Sequence, residues 1–510
     1  MKRFAITLFL FLVFPPLVWA HVGSPNVFFE GKAGPYPVRV VIRPAEVIPG
    51  LAEISVRVEE GGAERVTALP MKWNAGRKGA PPPDVARLVP GETNLFSSQL
   101  WFMEGGPHSV EIEVAGARGP GRVVVPVDAV ARRVLPMPRL LGGMLAVFGS
   151  VLLVLFLSLI GAAVRESVLE PGIEPEPTRC WRARAGMAVG AIVLTVLLWG
   201  GRRWWDAEAA DYQNNRLYRP VSTLASVQVE GNRRVLRLEV PGFADAAPLV
   251  PEHGRLMHLF LIREPALDAF AHLHPVKRDR RTFEAPLPAL PAGSYQLYAD
   301  VTYETGSSDT LTARVDIPQA STESSVTSSS TINDPEDAWR MALEFDPKRA
   351  DRKSVLGSNY TMTWAFPGPL APNQPVSLRF AVRDSQGQPV VLEPYLGMRG
   401  HLALRSQDGS VFTHLHPGGS ASMAAMQLAV YRAEGKLPLT AAFGADDPIC
   451  QLPPASRAEE QWLQGNEDAD GATISFPYAF PKAGAYRLWV QVRINGAIRT
   501  GVYDIRVSPS

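Results

Sequence analysis

Nine histidines are few for 510 residues, and six of them form two groups of matching pattern. His258 precedes His272-Leu273-His274, and His401 precedes His414-Leu415-His416. A neutral imidazole offers one ring lone pair to a borderline cation such as copper or zinc. Side chains alternate along a strand, so both histidines of a His-x-His point to one face. In the second group Asp408-Gly409, between apolar-alternating runs, is a two-residue hairpin signal. Pairing about that turn puts His401 opposite His416, with His414 diagonal on the same face. In the first group the three-residue loop Pro265-Ala266-Leu267 puts His258 opposite His274, with His272 diagonal. Facing Cβ atoms of paired strands lie about 4.5–5.5 Å apart. Three imidazoles can therefore share one ion at bonds of about 2 Å.

The expectation is a metal site in each group. Copper, as Cu(I) or Cu(II), is the expected metal, the Irving–Williams order favouring Cu(II) at equal geometry, and zinc is the alternative. Met398 and Met423 lie near the second group in sequence and could add thioether ligands, as could Met257 and Met426, although methionine is also ordinary core filler. His21 is separate. Cleavage after Ala20 would make it the N-terminus, where amine and imidazole together chelate copper, with His108 as a further candidate ligand. The competing reading is that the histidines only hydrogen-bond the backbone.

The elements that position the groups repeat as well. Ala292-Gly293-Ser294-Tyr295-Gln296-Leu297-Tyr298 matches Ala483-Gly484-Ala485-Tyr486-Arg487-Leu488-Trp489 in the same order after the histidines. Residues 219–318 and 337–510 read as two β-sandwiches carrying one His repeat each, joined by a Ser/Thr-rich linker at 319–336. The second copy carries an insertion after His416 that includes Met423, Met426 and Cys450. Residues 21–133 alternate apolar and polar in short runs, such as Ile54-Ser55-Val56-Arg57-Val58, between turn clusters. The fold class expected is mainly β, with three immunoglobulin-like sandwiches and a two-helix membrane hairpin.

Residues 1–20 read as a secretory signal, with Lys2-Arg3 ahead of an apolar run. Residues 140–164 and 185–201 read as transmembrane helices around a cytoplasmic loop at 165–184. Trp181 and Trp204-Trp205 flank the second helix as interfacial anchors. The signal then sets 21–139 and 202–510 outside the membrane, facing the periplasm or extracellular side. Cys180 and Cys450 fall on opposite sides, which argues against a disulfide. A net charge of +1 gives no electrostatic case for nucleic acid.

The block His21-Val22-Gly23-Ser24-Pro25 resembles periplasmic copper-resistance proteins of the CopC type. Trp101-Phe102-Met103 with Gly105-Gly106-Pro107-His108 resembles the YtkA-like and FixH-like domains. Glu393-Pro394-Tyr395-Leu396-Gly397-Met398-Arg399-Gly400-His401, followed by His414-Leu415-His416-Pro417, is similar to extracytoplasmic domains found beside copper-transport components. These resemblances cover pieces of each exported domain. They imply periplasmic copper buffering, resistance or delivery, with a copper transporter or oxidase-assembly factor as partner. The alternative is an interaction protein that docks such a membrane partner. No carboxylate falls consistently beside both hairpins, Asp268 and Asp408 being placed differently, so no enzyme is expected.

Overall fold

The computed structural model describes residues 26–60, 62–170, 172–230, 233–244, 246–319, 334–349, 352–365, 368–435 and 471–509. The molecule is mainly β. The N-terminal region runs β1 (Val27–Ala33), β2 (Tyr36–Arg43), β3 (Gly50–Val58), β4 (Ala63–Lys72), β5 (Asp84–Leu88), β6 (Leu95–Phe102), β7 (Gly106–Gly116) and β8 (Gly119–Ala129), paired in the order β1-β2-β3-β6-β5-β4-β7-β8. The period-two pattern read in β3 decides which face is inside: Ile54, Val56 and Val58 are buried, while Ser55 and Arg57 are half-exposed.

Helices α1 (Arg139–Glu166) and α2 (Pro177–Asp211) form a separate compact unit with residues 46–48. Both are long and apolar enough to cross a membrane. They run past the expected limits because helix continues through polar ends; α2 begins with Pro177 in its first turn, where a missing N–H costs nothing. Glycines let the two helices approach: a Cβ at Gly161 would meet Met187 Sδ at 2.7 Å, and one at Gly190 would meet Ile160 at 2.7 Å.

The first repeat contains β9 (Leu224–Glu230), β10 (Arg233–Glu239), β11 (Leu249–Val250), β12 (His258–Arg263), β13 (Ala269–Leu273), β14 (Val276–Lys277), β15 (Thr282–Pro286), β16 (Gly293–Tyr303) and β17 (Ser308–Ile317). Its sheets run β14-β15-β10-β9 and β11-β16-β12-β13, with β17 on β16 and β18 (Ala338–Met341) on β13. Residues 338–341, expected at the start of the second repeat, thus extend the first. The second repeat pairs β19 (Lys353–Val355), β20 (Tyr360–Ala365), β21 (Val376–Asp384) and β24 (Thr473–Tyr478) in one sheet. Its other sheet is β23 (Phe412–Leu415), β22 (His401–Ser406), β25 (Gly484–Ile494) and β26 (Ala497–Val507). Helix α3 (Met423–Ala433) occupies part of the insertion.

In each repeat one face of the His-bearing sheet closes a core against its partner sheet. Leu259, Leu261 and Leu297 pack with Leu236, Leu238 and Phe283, and Leu402, Leu404 and Leu488 pack with Trp364, Leu378 and Phe476. The opposite faces of those two sheets pack on each other, so β12, β13, β22 and β23 are buried on both sides. Phe270 stacks on Trp489 with ring centroids 4.9 Å apart, and Phe412 stacks on Tyr298 at 3.9 Å. Phe270 corresponds to Phe412 and Tyr298 to Trp489 in the repeat, so the contact is reciprocal, as across a two-fold axis. Trp489→Ala removes one of these stacks from a closed interface. We expect it to cost about 3–5 kcal/mol, read as a midpoint lowered by several degrees in thermal unfolding of the detergent-solubilised chain; an unchanged midpoint would show that the stack does not hold the repeats together.

Candidate metal centre

A tight turn precedes each His strand. His253 and Gly254 have φ of 52° and 79°, and Leu396 and Gly397 have φ of 51° and 73°. Two consecutive left-handed residues make the turn that Glu252–Arg255 and Tyr395–Met398 close with backbone hydrogen bonds. Each turn returns a carbonyl to the histidine six residues on. His258 Nε2 lies 3.3 Å from Glu252 O, and His401 Nε2 lies 3.1 Å from Tyr395 O. Beyond the turns, β12 and β13 pair Phe260 with His272, and β22 and β23 pair Ala403 with His414. Continued by one residue pair, these registers set His258 opposite His274 and His401 opposite His416, as the hairpin geometry requires.

The outward nitrogen of every one of these six rings faces an oxygen. His272 Nδ1 is 2.8 Å from Gln491 Oε1 and 3.2 Å from the Tyr395 hydroxyl, which itself donates to Glu336 O. His274 Nδ1 is 2.9 Å from Asp337 Oδ1, His414 Nδ1 is 3.3 Å from Asp300 Oδ2, and His416 Nδ1 is 3.3 Å from Ala421 O. With the N–H on the outward atom, the inward nitrogen is a bare lone pair. The inward atoms of each triad fall within 4.8 Å of one another. His258 Nδ1 and His272 Nε2 are 3.2 Å apart, and His401 Nδ1 and His414 Nε2 are 3.0 Å apart. His274 Nε2 and His416 Nε2 are buried with no hydrogen-bond partner. Converging lone pairs repel unless a ring proton or a metal cation sits among them.

The two triads, expected as separate sites, meet. The rings of His258 and His414 are 5.7 Å apart, those of His272 and His414 5.8 Å, and those of His272 and His401 6.2 Å. His253 stands among them, 5.7 Å from His401, 5.8 Å from His416 and 6.0 Å from His258. Phe260 stacks on His272 at 4.4 Å and contacts His414 at 4.9 Å, which seats both middle rings on one aromatic support. The supporting groups cross between repeats. Asp300 is paired opposite His258 yet reaches His414, while Gln491, opposite His401, reaches His272.

Met398 and Met423 reach this region through their backbones: Met398 closes the Tyr395 turn, and the Met423 N–H donates to Glu252 Oε1 at 2.9 Å. Met257 belongs to the core of the first repeat. His21 and Cys450 lie outside the described residues. His108 lies on β7, its Nδ1 2.9 Å from Gly106 O and its ring against Phe102. Asp337 and Asp334, at and beside the end of the expected linker, attach to the centre: Asp337 also accepts the His274 backbone N–H, and Asp334 pairs with Arg255. Sequence reasoning missed Glu252, Asp300, Asp337, Tyr395 and Gln491. A usable signal existed, since Pro251-Glu252-His253-Gly254 aligns with Pro394-Tyr395-Leu396-Gly397, and the third repeated block reaches Asp300 and Gln491 two residues further on.

The second repeat, at residues 353–448 and 453–509, matches the model of a family described as a domain of unknown function, DUF8832. No curated protein matches the chain. Among solved structures, the latent dimer of PorU from Porphyromonas gingivalis is similar at 8% identity and a TM-score of 0.14, over 96% of this chain and 34% of that one. A Salmonella alpha-2-macroglobulin is similar at 9% identity and 0.19, over 96% and 24%. The ICAM-5 D1–D4 ectodomain fragment is similar at 10% identity and 0.14, over 91% and 74%. The chain thus spans well under two thirds of the first two.

Burial sets the protonation of the centre. It holds His253, His258, His272, His401 and His414 well below the ordinary 6.5, with neighbouring imidazoles adding to the effect, and it takes His416 to about 4. Burial raises two carboxyls, Glu252 to about 8 and Asp300 to about 7. Below pH 6.5 the unfolded chain gains protons on six histidines that the folded metal-free chain does not take up. The two carboxyls act the other way, keeping protons in the fold that the unfolded chain releases above about pH 4. Six outweigh two, so stability present above pH 6.5 is lost as pH falls through 6.5 toward 4. Thermal midpoints of the chelator-treated protein should fall steeply from pH 7 to 5, and a flat profile would contradict buried neutral rings.

Proposed function

We propose that this protein is a membrane-anchored, extracytoplasmic metal-binding protein whose seven-histidine centre holds copper, with zinc as the alternative. One observation carries the reading: six buried imidazoles each face an oxygen with the outward nitrogen, so their inward nitrogens converge, those of His274 and His416 with no hydrogen-bond partner. Oxygen acceptors placed behind the ring in this way fix the tautomer of metal-bound histidine and raise its basicity. All-imidazole sites suit copper and zinc, and the Irving–Williams order places Cu(II) ahead. Burial of every ring favours holding and handing on an ion over turnover of a substrate, which points to buffering, resistance or delivery by a non-enzymatic protein. In this reading the three β regions are immunoglobulin-like sandwiches exported by the N-terminal signal. The helix pair anchors them, and the partner is a copper transporter or oxidase-assembly factor.

A structural reading would place a proton in the His258–His272 and His401–His414 contacts and no metal anywhere. Elemental analysis and copper and zinc titration of the full chain in detergent separate the two. Metal uptake should fall sharply for any one of His401→Ala, His414→Ala or His416→Ala, and a second replacement should add little, because coordination is a joint interaction. No uptake by the parent chain would end the metal reading. Topology has its own test: reporter fusions at residues 135 and 215 should be active outside the membrane and one at 175 inside, and an externally active fusion at 175 would overturn the orientation.

A further inference from the structure

The two repeats agree at all six triad histidines and differ in the turn ahead of them. The first has Glu252-His253 where the second has Tyr395-Leu396. This difference falls on one side of the centre. Glu252, His253 and His416 form a third convergent group, which shares a member with the second-repeat triad and none with the first. His253 Nε2 and His416 Nε2 are both buried without a hydrogen-bond partner. Glu252 Oε1 lies 3.8 Å from the former and 3.7 Å from the latter, too far for a hydrogen bond to either. The Met423 N–H at the start of α3 holds that oxygen in place.

Elsewhere the carboxylates stand behind the rings. Asp337 accepts both the backbone N–H and the Nδ1–H of His274, and Asp334 is paired with Arg255. Asp300 backs His414 and accepts the Thr310 hydroxyl at 2.6 Å. Only Glu252, among these, faces the inward nitrogens. On the first-repeat side the corresponding turn contributes the Tyr395 hydroxyl, which is spent on His272 and Glu336.

We infer that the centre holds two ions in unequal positions: a divalent ion bounded by His401, His414, His416, His253 and the Glu252 carboxylate, and a monovalent copper bounded by His258, His272 and His274 alone. The inference rests on the metal reading above and goes beyond it in number, place and charge. An anionic oxygen in the ligand set favours a divalent ion, whereas three neutral imidazoles bring no charge to offset a second positive charge in a buried site, which favours monovalent copper.

The test is competitive loading of the metal-free full chain in detergent, under anaerobic conditions, with Zn(II) and Cu(I). The parent should take up one of each. Glu252→Gln and His253→Leu should each weaken zinc by about 10- to 100-fold and leave Cu(I) affinity unchanged, whereas His272→Ala should do the reverse. Leucine already occupies the equivalent turn position as Leu396, at nearly the same φ, so the turn accepts the second variant; Gln is isosteric with Glu and serves as the independent check. Unchanged zinc affinity in both variants, or two zinc ions bound equally tightly, would overturn the unequal-site inference while leaving metal binding intact. A parent that takes up neither ion overturns both.

Discussion

The arrangement of this protein depends on placing seven polar rings where water does not reach. A buried imidazole must spend its N–H, since an unsatisfied donor in an apolar interior costs about 1–3 kcal/mol. Each outward nitrogen of the two triads meets that demand with a different oxygen: two turn carbonyls, one loop carbonyl, two carboxylates and an amide backed by a phenol. Satisfying the outside leaves the inside as lone pairs. The same constraint that makes the histidines tolerable in the fold therefore leaves their inward nitrogens as acceptors, because a ring cannot donate from both nitrogens while neutral.

That demand also explains why the repeats must pack together. Asp300 belongs to the first repeat and serves His414 of the second; Gln491 and Tyr395 belong to the second and serve His272 of the first. Neither repeat satisfies its own triad. The aromatic stacks of Phe270 on Trp489 and Phe412 on Tyr298 bring the sheets close enough for this exchange. Arg487 adds a buried tie, bonded to Asp504 and to the carbonyls of Leu267 and Leu343.

The insertion of the second repeat turns the pair into part of a larger assembly. Ala424 and Leu428 of α3 pack on Val250 of the first repeat, and Ala429 and Val430 pack on Leu69, Met71 and Val124 of the N-terminal region. Strand β1 pairs with the loop just after His416, where Glu30 N–H donates to Gly418 O. Gly419 sits there with φ of 135°, and a Cβ at that position would lie 1.9 Å from Phe28 O, so no side chain fits. The backbone that sets His416 is thereby held by the N-terminal region.

What the sequence by itself determined is local. Period-two alternation, the Asp408-Gly409 turn and the matched spacing of the histidines settle the hairpin registers, because strand pairing about a short turn is fixed by turn length and by which face is apolar. The two helices were legible too, because their length and apolar composition are properties of one continuous run of residues. Tertiary structure decided that the two triads share one centre. Phe260, Phe270, Phe412 and Trp489 look in sequence like ordinary core residues, and nothing local says that their faces bury against each other rather than within their own sandwiches. The repeat alignment could mark Asp300, Tyr395 and Gln491 as matched positions, but not which rings they serve, since Asp300 reaches His414 and Tyr395 and Gln491 reach His272 of the opposite repeat. That service exists only once two surfaces close and the rings of His272 and His414 must find an oxygen across the join.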